Sequence, residues 1–186
     1  KPLGDGHAIA CAAHLVGDES VLIMFGDALY NSEIQPAQQL IDVFNKYNYS
    51  VIGLAEVARE EVNKFGVIDG IDLTDGVYEI KNIIEKPKVE KAPSNLAAVG
   101  KYIITPDVLE ILSNMTEGKS GEIRLADAFD ILLKKNKPLY GKKLEGEWLD
   151  TGDKFGFIKA TIQLGLKNKE IGKELKQYIK NISSKL

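Results

Sequence analysis

The sequence predicts an α/β fold: a mixed, mostly parallel sheet flanked by helices, with a small antiparallel ribbon set into it. Three observations carry this. Apolar runs alternate with amphipathic stretches, the rhythm of strand–helix–strand units. The run VLIMF, residues 21 to 25, is apolar at every position, as in a strand covered on both faces. The stretch FGVIDGIDLTDGVYEIKNIIEKP holds short β-like runs separated by Asp-Gly pairs at 69–70 and 75–76. Such pairs mark hairpin turns, because glycine tolerates positive φ.

Each element can be justified in turn. A glycine-rich turn, PLGDGHA, leads into AIACAAHL, which reads as a helix with Cys11 in the core. After the 21–25 strand, residues 36 to 47 read as a helix. Pro36 suits its first turn, and Leu40, Phe44 and Tyr47 share one face. YSVIGLAEV, residues 49 to 57, is the next buried strand, so strand, helix and strand predict a parallel crossover. The Asp-Gly ribbon follows, then a charged, proline-bearing loop, KPKVEKAPS. LAAVGKYIIT, residues 96 to 105, is a strand, and Thr105-Pro106-Asp107 gives a cap, a first-turn proline and an early acid for a helix. Leu125, Phe129 and Leu132 mark another helix face. EWLDTGD ends a strand in a tight turn. Helical spacing resumes at Phe155, Ile158, Ile162 and Leu166, and again at Leu175, Tyr178 and Ile182.

Composition narrows the function classes. The 186 residues are 44% hydrophobic, enough for a core, and 24 basic against 27 acidic residues leave a net charge of −3. That balance argues against a nucleic-acid partner, which needs a basic face. It leaves room for small phosphorylated ligands, which need a few local cations. One cysteine makes no internal disulfide and fits a reducing compartment. No apolar run reaches the length of a membrane span, so no membrane partner and a cytoplasmic location are expected. The chain does not begin with Met, so a longer parent is expected.

The candidate chemistry starts at the ends of strands, where ligands collect in open α/β sheets. Asp27 follows the 21–25 strand; the other role open to it is a turn or helix cap. Asp150 follows Trp148 and Leu149, and its alternative is an Asp-x-Gly turn bonding backbone N–H groups. Two carboxylates at two strand ends can share a hard divalent cation such as Mg²⁺, which takes oxygen ligands and keeps phosphate and water in its shell. Glu85 stands at the end of the strand-like IKNIIE, and Lys86 beside it can offset phosphate charge. A solvated surface loop is the ordinary alternative for that pair. His7 and His14 have no partners with zinc spacing, and no strand–GxGxxG–helix unit supports a dinucleotide-binding dehydrogenase.

In this order the motifs resemble those of the UTP–glucose-1-phosphate uridylyltransferases, or UDP-glucose pyrophosphorylases, of bacterial and archaeal type. PLGDGHA is similar to their PLGLGHA, with Asp5 in place of an apolar residue, and FGDALY to their LGDD segment, with Ala28 in place of the second acid. IIEKP, SNLAAVGKYIITPDVLEIL, GEIRLADA and DTGDKFGFIKATIQLGL follow the same pattern. The resemblance covers nearly the whole chain and corresponds to the C-terminal two-thirds of such enzymes. Their glycine-rich signature loop would lie upstream of Lys1.

The resemblance implies a Rossmann-like, GT-A-like nucleotidyltransferase fold. A partial transferase domain would span 1–165, with a C-terminal helical tail at 166–186 that packs on it or on a second subunit. It implies uridylyl transfer from UTP to glucose 1-phosphate with Mg²⁺; the apolar positions on the C-terminal helices suggest a homo-oligomer, and a tail packed on the core explains them equally. Gly4 would contact uracil, Asp27 and Asp150 would hold the metal, and Gly66, Glu85 and the Ala98 backbone would bind glucose hydroxyls. Lys86 would bind the sugar phosphate. A related enzyme using dTTP, and a non-catalytic sugar-phosphate-binding or assembly module, are the competing readings.

Overall fold

The computed structural model describes residues 2–116, 118 and 121–185. In chain order the first elements are α1 (Asp5–Val16), β1 (Val21–Met24), β2 (Ala28–Asn31), α2 (Pro36–Tyr47) and β3 (Val51–Glu56). Strands β4 (Gly66–Thr74), β5 (Val77–Glu85) and β6 (Leu96–Ile104) follow, then α3 (Pro106–Asn114) and α4 (Leu125–Lys134). The last are β7 (Tyr140–Lys143), β8 (Glu147–Asp150), α5 (Lys154–Lys167) and α6 (Gly172–Ser183). The chain forms two compact units. One holds the residues up to Phe25 and Ser32–Gly146; the other holds Gly26–Asn31 and the residues from Glu147 on.

The first unit is built on a six-stranded sheet in the order β1-β6-β3-β7-β5-β4. Strand β4 also pairs with β6, at Val67↔Ala97, so β6, β3, β7, β5 and β4 close into a barrel-like ring with β1 attached outside it. The sheet is mixed, as expected, but not mostly parallel. Among the described residues only β3–β7 is parallel, and the other pairings of the sheet are antiparallel. The physical reason is β6, which lies between β1 and β3 and runs against both. The expected crossover does return the chain in the same direction, with β6 inserted between its two strands.

Strand β1 is only half-buried, and Met24 is 50% exposed. The expectation of two covered faces fails because β1 is an edge strand, paired with β6 alone among the described residues. The Asp-Gly pairs also divide. Asp75-Gly76 makes the β4–β5 turn with both residues at positive φ, 54° and 69°. Asp69-Gly70 instead sits inside β4 at a register shift, where a Cβ on residue 70 would come 2.8 Å from the Glu79 carbonyl oxygen.

Helix α2 begins at Pro36 as predicted and buries Leu40 and Val43. It also buries Gln39, whose amide Nε2 donates to the Ile34 and Glu145 carbonyls and whose Oε1 accepts from Glu145 N. Thr105 precedes α3 but makes no side-chain cap; its hydroxyl donates to the Asp107 carboxylate and meets the Ser50 hydroxyl. Helices α1, α3 and α4 pack together around Ile104, Leu112, Leu125, Phe129 and Leu132, all at most 1% exposed. Each such side chain contributes roughly 1.5–3 kcal/mol by leaving water. Cys11 is exposed rather than in this core, with its sulfur 3.8 Å from the His7 ring one turn away.

The second unit pairs β2 with β8 antiparallel and packs α5 against β8 and α6 against α5. Asp153 caps α5 by accepting from Phe155 N and Gly156 N. The expected boundary at 165/166 falls inside α5. No helix among the described residues is long and apolar enough to cross a membrane.

Candidate active site

Asp27 and Asp150 both belong to the second unit, and strand pairing brings them together. Residue 28 stands opposite 150 in the β2–β8 register, which leaves Asp27 just beyond the pair. The turn after β8 folds back on it: Thr151 donates to the Asp27 carbonyl through both its N–H, at 2.9 Å, and its hydroxyl, at 2.8 Å. A Cβ placed on Gly152 would lie 3.1 Å from Asp150 Oδ1 and 3.5 Å from Asp27 Oδ2. Both carboxylates therefore face one small volume, which the bare glycine keeps open. Asp150 also serves the turn, accepting from Gly152 N at 2.9 Å. A carboxylate has capacity for about four hydrogen bonds, so the turn does not exhaust it. Two carboxylates without sulfur or imidazole are the donor set of a hard cation that brings phosphate and water as its other ligands. Among the described residues there is no group of three or more acidic, His or Cys side chains that would form a full protein cage.

Gly66, Glu85 and Ala98 come together in the first unit. Gly66 opens β4 opposite Glu85, the last residue of β5. A Cβ on Gly66 would lie 3.1 Å from Glu85 Oε2 and 4.0 Å from the Ala98 Cβ. The absent side chain at 66 and the methyl at 98 leave a shallow cradle with one carboxylate oxygen at its edge. Lys86 follows directly. Its backbone is in the left-handed region, φ 47°, tied by its N–H to the Phe65 carbonyl at 2.9 Å. For a non-glycine residue that conformation costs on the order of 1 kcal/mol, and such strain clusters at functional sites.

The other Glu85 oxygen, Oε1, is 3.8 Å from Arg124 Nη1. Arg124 is itself held by Glu122, whose Oε2 accepts from Nε at 3.2 Å and from Nη2 at 2.9 Å. Burial pushes the Glu85 carboxyl above the ordinary carboxylate range; Arg124 and then Lys86 pull it down, and Asp5 and Asp127 push it up. Glu85, Arg124, Ala126, Asp127, Asp130 and Asn82 line a cavity of about 390 Å³. That volume is within the range of small-ligand sites. Arg124 was not singled out from the sequence. A signal did exist: only two of the 24 basic residues are arginines.

Gly4 caps α1 at φ 113°, a conformation open to glycine, and a Cβ there would sit 2.4 Å from the Ile123 carbonyl oxygen. Asp5 also has a local reason to be acidic. Its Oδ1 accepts from Gly6 N at 2.8 Å and from Leu125 N, the first residue of α4, at 3.2 Å.

The first unit thus carries a carboxylate-edged cradle followed by a lysine, and the second an acid pair with the oxygen donors that suit a hard cation. The chain belongs to the nucleotidyl transferase family, whose profile matches residues 1–165. It is 36% identical to the UTP–glucose-1-phosphate uridylyltransferase YngB of Bacillus subtilis (strain 168), over 98% of this chain and 61% of that relative. It is similar to a UDP-glucose pyrophosphorylase solved in complex with UDP-glucose, at 40% identity and TM-score 0.84, covering 90% of this chain and 64% of that one. It is similar also to the UTP-bound enzyme of Acinetobacter baumannii, at 30% identity and TM-score 0.86, covering 96% and 62%. The chain thus spans about three fifths of the length of these relatives.

Proposed function

We propose that this protein transfers a uridylyl group from UTP to glucose 1-phosphate, releasing pyrophosphate and forming UDP-glucose. The observation that carries the proposal is the meeting of Asp27 and Asp150 beside Gly152. Relatives named for this activity, and structures holding UTP and UDP-glucose, support it. The Rossmann-like, GT-A-like ancestry of the fold and a cytoplasmic location are part of the same reading. So is a homo-oligomer, supported by exposed apolar side chains on α5 and α6 such as Phe155, Ile158 and Tyr178.

Asp27 and Asp150 would hold Mg²⁺, which when bound neutralises charge on phosphate oxygens. The chain's own residues do the rest by position. Glu85 accepts a hydrogen bond from a glucose hydroxyl in the Gly66–Ala98 cradle. Lys86 pairs with the sugar phosphate and lowers the cost of bringing two anions together. Gly4 presents backbone to the uracil. Fixing both reactants for in-line attack at the α-phosphorus needs no covalent nucleophile from the protein. The test is pyrophosphate release from glucose 1-phosphate with UTP, and separately with dTTP. Release with UTP that Asp27→Asn abolishes supports the proposal; equal turnover of dTTP would remove the uridylyl assignment.

A further inference from the structure

We infer that Arg124 is a positioning residue for the sugar site: anchored on Glu122, it sets its charge 3.8 Å from one oxygen of Glu85 and leaves the other at the Gly66–Ala98 cradle for a sugar hydroxyl. This rests on the reading of Glu85 as a sugar ligand. The geometry is specific. Glu122 engages Nε and Nη2, which fixes the guanidinium plane and directs Nη1 at Glu85 Oε1. Oε2 is the oxygen at the bare face of Gly66. Arginine suits this task because its planar fork serves two carboxylates at once and keeps its charge at any working pH. A lysine is a point charge on a flexible stem and can meet only the electrostatic half.

The charges facing Glu85 define what Arg124 must do. Arg124 and Lys86 are the cations; Asp5 and Asp127 are anions, and the buried Tyr102 phenol lies close enough to feel both Asp5 and Glu85. Without Arg124, one cation faces two other acids, in a place where burial already opposes ionisation. Glu85 then takes up a proton at higher pH. A neutral carboxyl is a weaker acceptor than a carboxylate by roughly twofold in hydrogen-bond strength. Arg124 therefore sets both the direction of Glu85 and the pH above which the sugar is held well.

The experiment compares the wild-type chain with Arg124→Gln, Arg124→Lys, Glu122→Gln and Glu85→Gln. The Glu85 carboxyl is titrated by ¹³C NMR without ligand, and glucose 1-phosphate binding is measured by calorimetry from about pH 5.5 to 8.5. For Arg124→Gln we expect the Glu85 midpoint to rise, and binding to weaken about tenfold near pH 6 and less than about threefold near pH 8.5. Arg124→Lys restores the midpoint and recovers affinity only in part. Glu122→Gln weakens binding in the same direction by a smaller factor, and decides the matter if Arg124→Gln fails to fold. An unchanged Glu85 midpoint, or an affinity loss equal at all pH, overturns the inference. Wild-type affinity in Glu85→Gln, or no binding by the wild-type chain, removes the sugar-site reading instead; the titration then still decides whether Arg124 governs Glu85.

Discussion

The acid pair and the Gly66–Ala98 cradle are built by different means. Asp27, just before β2, and Asp150, at the end of β8, flank a two-stranded ribbon, placed by the bonds of Thr151 N–H and hydroxyl to the Asp27 carbonyl and of Gly152 N–H to the Asp150 carboxylate. Gly66, Glu85 and Ala98 sit on nine-residue strands of a closed sheet, and their geometry is set by volume left unfilled. The ribbon site owes its chemistry to two carboxylates; that of Asp150 also accepts from Gly152 N, while Asp27 meets the turn through its backbone carbonyl. The cradle owes its chemistry to side chains that are small or missing. Substitution should therefore act by subtraction at the first and by intrusion at the second.

The largest effect is expected at the ribbon. Asp27→Ala should lower UDP-glucose formation by about a thousandfold or more, since in the proposed reaction it removes one of the two carboxylates that would hold the cation. Its fold contacts run through its backbone carbonyl, which the substitution keeps. Stability should stay within about 0.5 kcal/mol of wild type. Asp150→Ala should match it in activity but lose about 1 kcal/mol more stability, for the bond to Gly152 N. Urea denaturation of both variants checks this; equal stability losses would erase the distinction.

The core beneath the cradle gives the next largest effect. Phe129 is 1% exposed, touches the Tyr102 ring at 5.9 Å between centroids, and belongs to the cluster shared by α3 and α4. Phe129→Ala should cost about 3–5 kcal/mol by chemical denaturation. If the two units are energetically distinct, fluorescence of Trp148 in the second unit should report a different midpoint from far-UV circular dichroism. A single coincident transition would show that they unfold together.

Much of this was legible in the sequence, and the gaps have physical causes. Helix α2, the Asp75-Gly76 turn and Glu85 at a strand end follow from local chemistry: a first-turn proline, a left-handed pair, an apolar run ending in an acid. Sheet order did not follow. That β6 lies between β1 and β3, and turns a parallel expectation antiparallel, depends on pairings such as Val21↔Ile104 and Glu56↔Leu96, far apart along the chain. Gly66 and Ala98 had no local signature, because what matters there is empty space, and they entered through family resemblance alone. Arg124 was hidden for a related reason: its importance lies in Glu85, 39 positions away, and in Glu122 beside it.

Intrusion into the cradle should have a moderate effect. The backbone at Gly66 has no positive φ, so alanine fits the chain there, but its methyl would stand 3.1 Å from Glu85 Oε2. The carboxylate must shift by a few tenths of an ångström, and the methyl takes the space in which the proposed sugar would lie. Gly66→Ala should weaken glucose 1-phosphate binding by about tenfold while stability changes by less than about 1 kcal/mol. Calorimetry with the sugar phosphate checks it, and unchanged affinity would mean the cradle is not where the sugar lies.

The smallest effect tests the electrostatic side of the cradle. Burial holds the Glu85 carboxyl above its ordinary value of 4.5, with Arg124 and Lys86 offsetting part of the rise. Between that ordinary value and the raised one, the folded chain binds more protons than the unfolded chain. The Glu85 contribution is therefore fully present below pH 4.5 and is lost as pH rises through the folded value. Glu85→Gln does not titrate, so its melting temperature should gain on wild type as pH goes from about 4 to about 7. The gain should be only a degree or so, because the side chain keeps 33% of its surface and solvent screens the charge. Arg124→Gln should change in the opposite sense over the same range, since it leaves Glu85 in place and removes the cation that most favours its charged form. Parallel pH profiles for wild type and both variants would mean that Glu85 is tuned by neither burial nor Arg124, and that the charge at the cradle does not bear on the stability of its fold.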